Sequence, residues 1–311
     1  MQEAEQITNQ VHVQIGDALP RRSRLKYELV LVLMSIIWGA TFLVTKGTLK
    51  LIGPFTYLGL CYTVATLTLI AIFHKRLRSL TRVELFSGCL IGVFLFAGYG
   101  FQTVGLQWTT VSKAGFLTGL YVPLVPLFAL LFLRQRVPGM AVLGVALSVI
   151  GLLLLSLSPQ FNLVFGKGEV LILCCAVAFA LQVILVGKFA PDVDAINLAI
   201  IQLGLTAILS FIAIPLNHEP LAPPPLVAWI PVLLLGIMDM AFTLTAMNWI
   251  QQYVSSTRAT LIYALEPVWA TLFGVLIAGD VLNTAAWIGC GCILAGMVTG
   301  RLEKFDLKRR K

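Results

Sequence analysis

Asp239 and Glu266 lie deep inside apolar runs of this chain, and Glu266 is followed at once by Pro267. An ionised carboxylate at the centre of a bilayer costs about 2.5–3.5 kcal/mol on insertion scales, so such a residue must face protein or water. Two chemistries are open to a carboxyl group placed there. It can hold the ammonium group of a solute, or it can exchange a proton and couple an ion gradient to movement; both Glu266 and Asp239 are candidates for ion coupling. The structural alternative for Glu266 is a hydrogen bond that braces the helix Pro267 interrupts, because proline removes an amide donor and frees a carbonyl. Asp239 has its own alternative, a place nearer a water-filled edge of its span.

The same runs carry a second set of groups: Trp38, Tyr99, Gln102, Tyr121, Gln182, Tyr263 and Trp269. Tyrosine and tryptophan offer flat apolar surface with a polar tip, while glutamine supplies donors and acceptors. Gln102 follows Tyr99 by three residues, so the two share a helical face. Together with Asp239 and Glu266 they form the expected substrate-binding set, suited to an amphipathic solute. Interface anchoring competes for tryptophan and tyrosine near span ends, best for Tyr27 and Trp108. Helix-to-helix hydrogen bonding competes for Gln182. Lys46, Lys113 and Arg258 lie toward span ends, where long basic side chains snorkel to the interface. Lys46 could instead meet a substrate carboxylate from an outer vestibule.

The elements that must position these groups are hydrophobic stretches, each near the roughly 20 residues that cross about 30 Å of hydrocarbon. They fall at 27–49, 54–73, 85–106, 111–133, 140–157, 168–187, 195–215, 226–250, 255–277 and 284–301. Of the 311 residues 59% are hydrophobic and only 12% charged, against about 25% charged in a soluble domain. Lipid admits helices and closed barrels, and continuous apolar runs select helices over strands. The expected fold is therefore all-α: a polytopic membrane protein of about ten transmembrane helices, with the lipid bilayer as its surroundings.

The net charge of +8 comes from clusters at Arg21 to Lys26, Lys75 to Arg82, Arg134 to Arg136 and Lys304 to Lys311. These occupy alternate connections, as the positive-inside rule asks of cytoplasmic segments, so both termini are expected in the cytoplasm and no nucleic-acid partner is implied. The cysteines, Cys61, Cys89, Cys174, Cys175, Cys290 and Cys292, have no zinc-type spacing and read as small apolar residues. No metal or cofactor is expected. His12, His74 and His218 fall in tails or connections and no nucleophile–base pair stands out, which argues against an enzyme. No GxxxxGK[ST] motif is present, so ATP does not drive this chain through that site.

The two halves echo each other. A shift of 144 positions pairs Ser112 with Ser256, Leu117 with Leu261, Pro123 with Pro267, Val137 with Val281 and Ala141 with Ala285. In the last span of each half a shift of 145 pairs Gly144 with Gly289 and Gly151 with Gly296. An odd number of spans per half inverts the second copy, and inverted repeats accompany alternating-access transport with a midplane site between the halves. Pro123, Pro126 and Pro267 can loosen the helices where the halves move, or simply kink them for packing.

Trp38-Gly39, the segment Ala114-Gly115-Phe116-Leu117-Thr118 leading to Pro123, Leu265-Glu266-Pro267, and the paired Gly144 and Gly289 resemble the EamA family of the drug/metabolite transporter superfamily. The resemblance runs from about 30 to 300. It implies ten helices in two inverted five-helix repeats around a central cavity. It also implies secondary transport of small metabolites, often export of amino acids, in a bacterial inner membrane. Three places depart from the family pattern: Cys61 where many members carry arginine, Arg134-Gln135-Arg136 where a glutamate often follows the fourth span, and Asp280 after the ninth. The family's ionic network is therefore not carried over.

The expected organisation is a cytoplasmic tail at 1–26, a first repeat at 27–157, an external loop at 158–167, a second repeat at 168–301 and a basic cytoplasmic tail at 302–311. The expected function is export of small metabolites such as amino acids by a secondary transporter, with a passive channel and, after it, an intramembrane enzyme as alternatives. Solute identity, direction, coupling and self-association into a homodimer are left open by the sequence.

Overall fold

The computed structural model describes residues 21–109, 111–133, 137, 139–156, 166–220, 222–278 and 283–302. The terminal tails beyond these limits, most of the 158–167 connection, the Arg134–Arg136 cluster and Asp280 lie outside the described residues. Among the described residues every regular element is helical. Eight helices are long and apolar enough to cross a membrane, and two shorter apolar ones, Gly139–Leu154 and Thr284–Thr299, complete the expected ten. Their outward faces carry large apolar side chains such as Phe132, Leu216 and Leu276, more than half exposed and suited to lipid.

The second span, Pro54–Phe73, and the seventh, Ala195–Leu216, pack along each other. Each begins under an acid borrowed from the opposite half. At the start of the second, Glu219 accepts the Phe55 and Thr56 amide hydrogens at 2.8 and 2.9 Å. At the start of the seventh, Glu84 accepts the Asp194 amide at 3.0 Å, and Asp194 in turn accepts from Ile196 and Asn197 and pairs with Arg76 at 2.5 Å. The first amides of a helix lack internal partners and carry partial positive charge, so a carboxylate is the fitting cap. Glu84 also closes a capping box with Thr81 at the head of the third span, Arg82–Trp108.

The fifth span, Gly139–Ser156, crosses the tenth, Thr284–Leu302, at glycines. A Cβ on Gly151 would stand 2.6 Å from the Gly289 carbonyl oxygen, and one on Gly296 would stand 2.5 Å from the Gly144 carbonyl oxygen. Exchanging Gly144 with Gly289 and Gly151 with Gly296 turns each contact into the other, the signature of a two-fold axis between equivalent helices. The earlier residue of one span meets the later residue of the other, so the pair is antiparallel. Small residues permit this approach, where lipid supplies no hydrophobic drive for helices to associate.

The fourth and ninth spans are both broken. The fourth runs as Val111–Gly119 and then Tyr121–Leu133; the ninth runs as Ser256–Tyr263 and then Glu266–Phe273. Proline supplies the cause. Pro123 has no amide hydrogen for the Gly119 carbonyl, and Pro267 has none for Tyr263, so each helix ends four residues before its proline. Each proline then occupies the first turn of the next half-helix, where no donor is needed. The breaks at Leu120 and at Ala264 are 144 positions apart, as the echo in the sequence anticipates.

Candidate functional site

A cavity lies between the halves, walled by the first, third, fourth, sixth, eighth and ninth spans. It holds about 50 Å³ for water-sized occupants, several times the ~10–15 Å³ that one water needs. Trp38, Tyr99, Gln102 and Tyr121 line it from the first half. Gln182, Tyr263 and Glu266 line it from the second.

The broken spans place the polar ends. Tyr121 and Glu266 are each the first residue of a half-helix that starts at a proline-induced break. The Tyr121 and Tyr263 side chains are buried, the Tyr121 hydroxyl beside Glu266 and the Tyr263 hydroxyl beside Gln251. Gln182 reaches only the Met247 sulfur, at 3.9 Å, a weak acceptor. Gln102 donates to the Thr118 hydroxyl at 3.4 Å, a long bond. Aromatic walls enclose the rest: Trp38 meets Tyr263 edge to face with centroids 4.9 Å apart, and Tyr99 meets Phe179 at 5.0 Å in the same manner.

Asp239 lies in a smaller adjoining cavity of about 10 Å³ that shares Thr41, Phe42, Tyr99 and Gln102 with the larger one. It belongs to a stretch of π-helix, Gly236–Thr243, within the eighth span. Such stretches recur at functional sites. Thr243 donates its hydroxyl to the Asp239 carbonyl and accepts the Trp38 indole N–H at 3.1 Å. Trp38 thus ties the aromatic wall to the turn that carries Asp239. The Asp239 side chain is buried within the protein.

Trp269 lines neither cavity. Its indole N–H donates to the Ser35 hydroxyl at 3.1 Å, and its Cβ lies where the ninth span presses against Gly39 of the first. Two basic residues expected to snorkel are engaged as well. Lys46 donates to the Thr109 carbonyl at 2.5 Å, and Lys113 pairs with Glu169 at 3.8 Å while the Thr109 hydroxyl donates to Glu169 at 2.6 Å. This network fastens the ends of the first and third spans to the start of the sixth. Cys61, at the position where the family pattern has arginine, is fully buried.

Thr41, Phe42, Phe179, Val183, Leu244 and Met247 also line the main cavity but were not singled out in the sequence. Helical periodicity around the residues that were singled out would have found most of them. Thr41 and Phe42 follow Trp38 by three and four, Phe179 precedes Gln182 by three, and Val183 follows it directly.

A ten-helix membrane bundle with a polar, aromatic-walled cavity between two related halves has the build of a small-solute transporter. The sequence matches the EamA-like transporter family over residues 25–157 and again over 166–299. It is 30% identical over 282 residues to an uncharacterized transporter of Archaeoglobus fulgidus, covering 88% of this chain and 85% of that protein. It is 25% identical over 277 residues to the uncharacterized inner membrane transporter YedA of Escherichia coli, covering 87% and 89%. A solved crystal structure superposes with a TM-score of 0.68 at 21% identity, covering 89% of this chain and 98% of that one, a likeness of fold. The chain belongs to the EamA-like transporter family and is an integral membrane protein.

Proposed function

We propose that this chain is a secondary transporter that moves small amine-bearing metabolites of about amino-acid size across a bacterial inner membrane, in the direction of export, by alternating access. The observation that carries this reading is the pair of breaks at Leu120 and Ala264, related by the repeat and opening onto one cavity. Discontinuous spans at repeat-equivalent positions bracket substrate sites in carriers whose halves rock around a central point. The halves 27–157 and 168–301 are the two moving bodies in this account, with both termini in the cytoplasm, as the alternation of basic connections favours. The cavity's volume accommodates only a few waters, which favours a carrier whose halves part to admit the solute over an open pore. Energy comes from a gradient, with Glu266 and Asp239 as the groups able to exchange protons. No reaction is assigned to the chain.

Solute counterflow in proteoliposomes tests this directly. Vesicles preloaded with unlabelled solute are expected to accumulate labelled solute transiently, and the initial rate is expected to saturate. Flux that rises linearly with concentration and lacks counterflow would make the protein a channel. Absence of flux across a broad metabolite panel would remove the transport role altogether.

A further inference from the structure

The charge inventory of the cavity narrows what can occupy it, given the transporter reading above. Glu266 reaches the main cavity and Asp239 its annex, whereas no lysine, arginine or histidine lines either one among the described residues. The one lysine expected to greet a substrate carboxylate, Lys46, is bound to the Thr109 carbonyl. Lys113 is held by Glu169. The remaining surface joins aromatic rings to Gln102, Gln182 and aliphatic side chains, and aromatic faces attract ammonium groups, more strongly once water is excluded. The buried Tyr121 hydroxyl stands beside Glu266 and can accept an N–H hydrogen bond from the same occupant.

We infer that the solute is an organic cation: an amine on a flat apolar body, with no free carboxylate. A zwitterionic amino acid would bring a third carboxyl group beside Glu266 and Asp239 and find no cation to meet it. Like charges brought together, and a buried charge left unpaired, are both strongly unfavourable. Removing or esterifying that carboxylate keeps every favourable contact and lifts the penalty. This narrows the amino-acid expectation drawn from the family resemblance.

The test compares phenethylamine, phenylalanine methyl ester and phenylalanine by calorimetry on the purified protein, with counterflow of the same compounds in proteoliposomes. Phenethylamine and the ester are expected to bind at least about tenfold tighter than phenylalanine. Glu266→Gln is expected to weaken the amine about tenfold or more while leaving phenylalanine little changed. Equal or tighter binding of phenylalanine overturns the inference, as does failure of all three to bind. The wild-type preference carries the result if Glu266→Gln does not fold, and Asp239→Asn provides a second charge removal. Counterflow of a wider panel separates the two levels. Zwitterions moving without amines would sink the cation class and keep the transporter; amines binding with no flux of any solute would keep the class and sink transport.

Discussion

Glu266→Gln is expected to flatten the pH dependence of transport and to raise the solute concentration needed for half-maximal rate about 10- to 100-fold. The side chain is 5% exposed, lines the cavity and opens the half-helix that follows the break in the ninth span. Glutamine keeps its size and hydrogen-bonding reach but can neither carry the charge nor exchange the proton. Exchange of solute for solute needs no net proton movement, so counterflow is expected to survive at raised solute concentration. The groups near Glu266 that could also titrate are Asp239, Tyr99, Tyr121 and Tyr263, lining the cavity or its annex, and the buried Cys175 behind it. Asp239→Asn measured in parallel assigns any residual pH dependence. An unchanged pH profile together with unchanged affinity would leave Glu266 as a brace for the proline break.

Gly151→Leu is expected to destabilise the folded protein by about 1–3 kcal/mol or more, read as a lower melting temperature and loss of a monodisperse species in detergent. The obstacle is backbone, since a Cβ at this position meets the Gly289 carbonyl oxygen and the Ile293 amide nitrogen at 2.6 and 2.9 Å. A flexible side chain could swing aside; a helix must be pushed away along its length. The repeat-related change Gly296→Leu meets Gly144 and Ser148 in the same way and is expected to cost a similar amount. Gly291→Leu is the control, because a Cβ there has nothing within 4 Å. Equal melting temperatures for Gly151→Leu and Gly291→Leu would mean that the crossing of the fifth and tenth spans is looser than described.

The spans were legible because each is a long apolar run. Pro54 stands at the head of the second, whereas the third starts at Arg82 under a Thr81–Glu84 cap that the expected bounds of 85–106 leave out. Of the three prolines flagged, Pro123 and Pro267 mark interruptions, with the breaks four residues earlier where the missing amide places them, while Pro126 lies inside the continuous helix Tyr121–Leu133. The π-helix around Asp239 was not legible, since Gly236–Thr243 is an apolar run with no periodic signature of its own. The orientation of side chains was the harder problem. A transmembrane helix is apolar on every side, so periodicity does not tell the cavity face from the packed one. Trp269 illustrates this: its residue type suits a cavity wall, yet its indole turns to Ser35 across the contact between the first and ninth spans. Lys46 and Lys113 illustrate the converse. Their partners Thr109 and Glu169 come from other spans, and only the assembled bundle brings them together.

The proposed function requires one cavity that is reached in turn from either side of the membrane. Single cysteines at Gln102 and Gln182, one in each half, in a background without the six native cysteines, would report this most directly in inside-out and right-side-out vesicles. Both positions are expected to be labelled by a small hydrophilic thiol reagent from both sides, slowed at both by bound solute. Labelling confined to one side under every condition, or no labelling of either position, would contradict it.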